Sequence, residues 1–192
     1  ILDFVNPMIN PYRSLEEALN TAIEDVPDFP TEGIVFKDLS PVWADPVLRA
    51  EAVKAVSEWI RASGTMPTAI AGIESRGFLL GMSLADRLGL PFIAFRKEGK
   101  LPGPTLGQSY ALEYGEAVLE CQVGAFRPED KVLIHDDVLA TGGTADAAAS
   151  LVERSGAVLW GFSFLMSLNS LNGRERLQAK RPEARLHSLL SV

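Results

Sequence analysis

Short apolar runs at residues 68–73, 91–95, 131–134 and 157–166 set the frame of the chain. Each is bounded by turn-forming or charged residues and reads as a buried strand. Segments of helical period lie between some of them. One covers residues 78–88 and stops at Gly89; another runs from Thr144 to about Ser155. Strands alternating with helices predict a parallel sheet covered on both faces. In such sheets ligands sit beyond the carboxyl ends of the strands. The loops at residues 74–77 and 136–144 fall at that edge.

Upstream, Ser14-Leu15-Glu16-Glu17 forms a capping box that predicts a helix to about Asp25. Asp28-Phe29-Pro30 breaks it, and residues 34–38 read as a short hairpin arm or loop. Asp45 as N-cap and Pro46 at the first helical position open another helix, with Val53, Val56, Trp59 and Ile60 on its apolar face. Residues 96–107 hold Lys97, Gly99, Lys100, Pro102, Gly103, Pro104 and Gly107, which pack little and predict a mobile basic loop. Residues 110–114 and 117–121 look like its arms returning to the body. One domain spanning residues 1–192 is expected, with an N-terminal segment of about 1–40 and a loop of about 96–115.

Composition narrows the classes. The chain has 192 residues, 47% hydrophobic and 22% charged, as expected of a globular protein. A formal charge of -7 argues against nucleic-acid binding. Local backbone amides can still bind phosphate on an acidic protein. No window approaches a membrane span, so no membrane association is expected. Residues 1–10 lack the basic flank of a signal peptide. Cys121 is the single cysteine, which points to a reducing, cytoplasmic setting, and its alternating neighbours suggest a packed thiol. His135 and His187 are too few and too isolated for a metal cage.

The richest segment is Val132-Leu133-Ile134-His135-Asp136-Asp137-Val138-Leu139-Ala140-Thr141-Gly142-Gly143-Thr144. An apolar strand delivers two carboxylates, and a small loop then opens a helix. Such a loop turns its amides toward one phosphate at the positive end of a helix dipole. Thr141 and Thr144 add hydroxyl donors. Adjacent Asp136 and Asp137 repel each other unless a ligand offers hydroxyl donors or a hydrated cation. Ribose-5-phosphate has a phosphate and a diol to match. The Lys of a P-loop is missing, and so is the dinucleotide G-x-G-x-x-G.

This run resembles the phosphoribosyl pyrophosphate (PRPP) motif of type I phosphoribosyltransferases. Residues 27–38, 72–78 and 96–103 with 110–115 extend the similarity to the adenine phosphoribosyltransferase family, in the family's order. The resemblance implies a mostly parallel α/β sheet flanked by helices, a mobile catalytic loop and a small N-terminal hood. It implies formation of AMP and pyrophosphate from adenine and PRPP, with Mg²⁺ held mainly through PRPP or pyrophosphate, and a homodimer.

Roles follow from the same resemblance. Ala140, Thr141, Gly142, Gly143 and Thr144 would hold the 5′-phosphate, and Asp136 and Asp137 the ribose hydroxyls. Ser75, Arg76, Arg96, Lys97 and Lys100 would hold pyrophosphate. Adenine would lie among Val35, Lys37, Arg76 and Val138. Glu113 would manage the proton at adenine N7, with Tyr114 packed nearby and Arg76 also catalytic. Lys37 replaces the Arg of many members. His135 replaces a usually apolar residue and is expected to be a hydrogen-bonded structural histidine. The competing readings are a transferase for another base, a PRPP-sensing regulator without turnover, and a PRPP synthase-like subunit.

Overall fold

The computed structural model describes residues 14–112 and 115–192. Two compact units divide at Glu51 and Ala52. In the first, helix α1 (Leu15–Ala22) starts where Ser14 Oγ accepts the Glu17 amide at 3.1 Å, as the capping box predicts. It ends earlier than expected. Strand β1 (Glu24–Pro27) pairs antiparallel with β2 (Val35–Asp38), setting Asp25 opposite Lys37, and this pairing takes the residues that would have extended the helix. A short helix α2 (Ser40–Ala44), not anticipated, packs on α1. Helix α3 (Pro46–Ala62) runs across the division. Asp45 caps it, its Oδ1 accepting the Val47 and Leu48 amides at 2.8 and 3.0 Å.

The second unit is built on a seven-stranded sheet. Its elements are β3 (Ala69–Ile73), α4 (Gly77–Leu88), β4 (Phe92–Lys97), β5 (Thr105–Leu112), β6 (Gly115–Gln122), β7 (Lys131–Leu139), α5 (Gly143–Arg154), β8 (Val158–Ser167), α6 (Gly173–Lys180) and β9 (Arg185–Ser191). The strand order is β5-β6-β4-β3-β7-β8-β9. The run from β4 to β9 is parallel, and the β5–β6 hairpin extends it antiparallel.

Alternation along β3 divides its side chains between two layers. Ala69, Ala71 and Ile73 join Val132, Ile134, Phe162 and Phe164 against Ala145, Ala148, Leu151 and Val152 of α5. Gly72 faces the Phe78 and Phe92 rings on the α4 side. Each fully buried aliphatic or aromatic side chain here contributes about 1.5–3 kcal/mol. Cys121 is buried in this core, as a packed thiol should be. Gly89 ends α4 in the left-handed conformation, at φ 67°, as its position predicts.

Residues 96–107 are not one loop. Arg96 and Lys97 finish β4, and Thr105 already begins β5. Between them, Glu120 Oε2 accepts the Gly99 amide at 3.0 Å and the Gln122 side chain donates to Pro102 O at 3.0 Å.

Candidate active site

Gly72 lies level with Ala94 of β4 and with His135 of β7. The chain therefore leaves these three parallel strands at one edge. Behind β3, Ser75 is exposed and Arg76 occupies the N-cap of α4. Gly77 lets α4 press on β7: a Cβ there would sit 2.8 Å from Asp136 Oδ1 and 2.9 Å from His135 O. This close approach seats Arg76 beside the acids.

Strand β7 continues to Leu139, so Asp136 and Asp137 lie within the strand and not in the loop after it. Buried Asp137 has its Oδ2 2.6 Å from Arg76 Nε. Its Oδ1 accepts the Val138 amide at 2.9 Å, and Asp136 Oδ1 accepts the Asp137 amide at 2.9 Å. Burial and the neighbouring Asp137 charge push the Asp136 carboxyl well above the usual range. Burial raises Asp137 as well, against the opposing pull of Arg76. Two such carboxylates suit a partner that brings hydroxyl donors or positive charge.

His135 is buried with Nδ1 2.7 Å from Ser163 Oγ. Burial lowers its pKa to about 4, so the ring is neutral at pH 7. This is the structural histidine that its place in the strand suggests.

Beyond Leu139 the backbone turns through residues 140–144. Gly142 takes φ 83° at the N-cap of α5, a conformation that favours glycine. The Asp146 amide donates to Gly142 O at 2.9 Å. The first-turn amides before it have no acceptor within the helix and face outward at its positive end. A cleft of about 60 Å³ is lined by Asp136, Val138 and residues 139–145 with Phe164. Its size and donors suit one phosphate group.

The basic turn borders this edge. Glu74 Oε2 accepts from Arg96 Nε at 2.9 Å and from the Lys97 amide at 3.2 Å, and Arg96 Nη1 donates to Lys100 O at 3.0 Å. The Lys97 and Lys100 side chains are exposed. The structure thus brings Ser75, Arg76, Asp136, Asp137, Val138 and residues 140–144 to one sheet edge, with Arg96, Lys97 and Lys100 at the end of the adjacent strand. Val35 and Lys37 belong to the first unit. Val35 is 54% exposed, and Lys37 Nζ lies 2.6 Å from Asp25 Oδ1. Glu113 and Tyr114 lie outside the described residues.

Residues 46–180 match the phosphoribosyl transferase domain. An adenine phosphoribosyltransferase from Anaeromyxobacter dehalogenans is 49% identical over 176 residues, covering 91% of this chain and 98% of that protein. The chain belongs to the adenine phosphoribosyltransferase family. Solved adenine phosphoribosyltransferases are similar throughout. That of Rhodothermus marinus shares 47% identity at a TM-score of 0.85, over 93% of this chain and 98% of that one. That of Saccharomyces cerevisiae, complexed with D-2,5-dideoxy-2,5-imino-altritol 1,6-bisphosphate and adenine, shares 38% identity at a TM-score of 0.86, over 93% and 100%. The expected mostly parallel sheet flanked by helices is the adenine phosphoribosyltransferase architecture found here.

Sequence reasoning did not single out Glu74 as a partner of Arg96, or Gly173, where a Cβ would lie 2.1 Å from Ala140 O. The first lies inside the 72–78 segment, but its contact is non-local. The second stands in Asn172-Gly173-Arg174-Glu175, which reads as an ordinary turn and helix start.

Proposed function

We propose that this chain transfers the 5-phosphoribosyl group of PRPP to adenine, releasing pyrophosphate and forming AMP for purine salvage. The observation that carries the reading is the meeting of three features at one sheet edge. These are a glycine-turned loop opening α5, the acids of β7, and Arg76 in contact with Asp137.

The 5′-phosphate takes the amides and hydroxyls of residues 140–144. Asp136 and Asp137 accept the ribose hydroxyls, which relieves two carboxylates that burial has pushed upward. Ser75, Arg76, Arg96, Lys97 and Lys100 hold pyrophosphate. Adenine lies against Val138 and the plane of Arg76, whose guanidinium suits both a base face and an anion as no ammonium does, and the family pattern gives Val35 and Lys37 of the first unit a part in reading the base.

Adenine N9 bonds to the anomeric carbon as its bond to pyrophosphate breaks, and the N7 proton passes to Glu113, with Tyr114 packed beside it. Positive charge gathers on the sugar, so positioning and fixed charge supply most of the acceleration. Among the described residues no group of three or more His, Cys, Asp or Glu is placed to cage a metal. Mg²⁺ would be held mainly through the phosphates of PRPP and pyrophosphate. There it would neutralise phosphate charge. Among the described residues no helix is long and apolar enough to cross a membrane. A cytoplasmic homodimer completes the reading.

The test mixes pure protein with PRPP, Mg²⁺ and adenine, hypoxanthine, guanine, xanthine or orotate in turn. AMP alone is expected. A different nucleotide would overturn the choice of base, and no nucleotide at all would overturn the enzyme.

A further inference from the structure

The phosphate loop has a backing made of bare backbone. At the start of α6, a Cβ on Gly173 would lie 2.1 Å from Ala140 O and 3.0 Å from Gly142 N. From the other side, a Cβ on Gly142 would lie 3.0 Å from Gly173 O and 3.3 Å from Leu177 Cγ. Two glycines thus face each other, and neither tolerates a side chain without moving main chain. Gly142 also needs its glycine for a positive φ. Gly173 does not have a positive φ, and at a helical position alanine is intrinsically favoured over glycine. The close approach to the loop is what excludes a side chain there.

Helix α6 is not free to retreat. Its far end is fastened to α5 by Lys180 Nζ on Asp146 Oδ2 at 2.6 Å, and by Arg181 on Asp146 Oδ1 at 3.0 Å and Glu153 Oε1 at 2.5 Å. Buried Leu177 fills the space behind Gly142. The loop that joins β7 to α5 is therefore backed by a helix whose far end is tied to α5.

We propose that Gly173 is a positioning residue for the 5′-phosphate of PRPP and AMP: it lets α6 set the path of residues 140–144, and so the aim of their amides. The proposal rests on the reading of those residues as the phosphate site. Amides that donate to an anion act only when aimed at it, and a displacement of about 1 Å costs up to about a hundredfold. A methyl group at Gly173 would have to push Ala140 O by about that distance, judged against ordinary van der Waals contact.

The test compares Gly173→Ala, Leu177→Val and Thr144→Val with the wild type, reading KM for PRPP, KM for adenine and the melting temperature without ligand. For Gly173→Ala the PRPP KM rises about tenfold or more, while the adenine KM holds; the melting temperature falls, because the added methyl crowds main chain. Leu177→Val, which only shaves the backing, moves the PRPP KM in the same direction by less, and it carries the test if Gly173→Ala does not fold. An unchanged PRPP KM in the folded backing variants, with a raised one in Thr144→Val, would overturn the positioning role and leave the phosphate site standing. Equal rises for both substrates would overturn it as general damage. An unchanged PRPP KM in Thr144→Val as well would overturn the phosphate site itself.

Discussion

Arg76 Nε lies 2.6 Å from Asp137 Oδ2, joining the turn after β3 to the acidic end of β7. In the proposed reaction these side chains serve opposite ends of PRPP, the pyrophosphate and the ribose. Their contact keeps each in place before the ligand arrives, and the ligand then supplies new partners for both. Arg76→Ala leaves Asp137 buried beside no guanidinium. With the Arg76 side chain 38% exposed, the stability loss is modest, about 1 kcal/mol after screening. Turnover falls far more, by about a hundredfold or more in both directions. Denaturant unfolding and forward and reverse kinetics measure the two effects, and wild-type kinetics would remove Arg76 from the site.

Asp136→Asn separates stability from binding. The Asp136 carboxyl is pushed well above its ordinary value by burial and by Asp137. A folded pKa above the unfolded one means full stability below the unfolded pKa, and loss as pH rises toward the folded one. At pH 7 the neutral amide removes that penalty and keeps an oxygen to accept the Asp137 amide. The variant should melt higher than the wild type while binding PRPP more weakly. A lower melting temperature would contradict the electrostatic account.

Glu74→Ala should loosen the basic turn. Its Oε2 holds both Arg96 Nε and the Lys97 amide, and Arg96 in turn holds Lys100 O. Without it, the KM for pyrophosphate in the reverse reaction rises several-fold while that for AMP stays close to wild type. Equal changes in both would mean that Glu74 supports the fold and not the anion site.

His135→Val should flatten the acid limb of the stability profile. The buried ring has a pKa of about 4, below the ordinary histidine value of 6.5. The unfolded chain therefore takes up the proton first, and stability drains as pH falls from about 6.5 toward 4. Between pH 7 and pH 5 this amounts to about 2 kcal/mol that the variant would not lose. Unfolding at the two pH values, wild type against variant, measures it. An unchanged slope would show that the ring takes up its proton as readily in the fold as in the unfolded chain.

The parts of the site that are local in the chain were legible from the residues. The apolar run into Asp136-Asp137 and the Gly142-Gly143 turn carry their structure in their own composition. The extent of β7 was not legible, because two carboxylates argue against strand. Pairing of Asp136 with Phe164 and of Val138 with Met166 overrides that preference. Likewise Asp25 leaves its helix because Lys37 pairs across the hairpin. The contacts of Arg76 with Asp137, of Glu74 with Arg96 and of Gly173 with Ala140 join residues distant in the chain, and no spacing rule could announce them.

The β5–β6 arm is paired along its whole length, from Thr105 opposite Gln122 to Leu112 opposite Gly115, and Leu106 and Tyr110 of β5 lean on the core. Such a ladder constrains how the family can vary here. Inserting one residue into β5 on the root side of these positions would turn both outward. Lengthening that keeps the ladder must come in twos, or be confined to the tip.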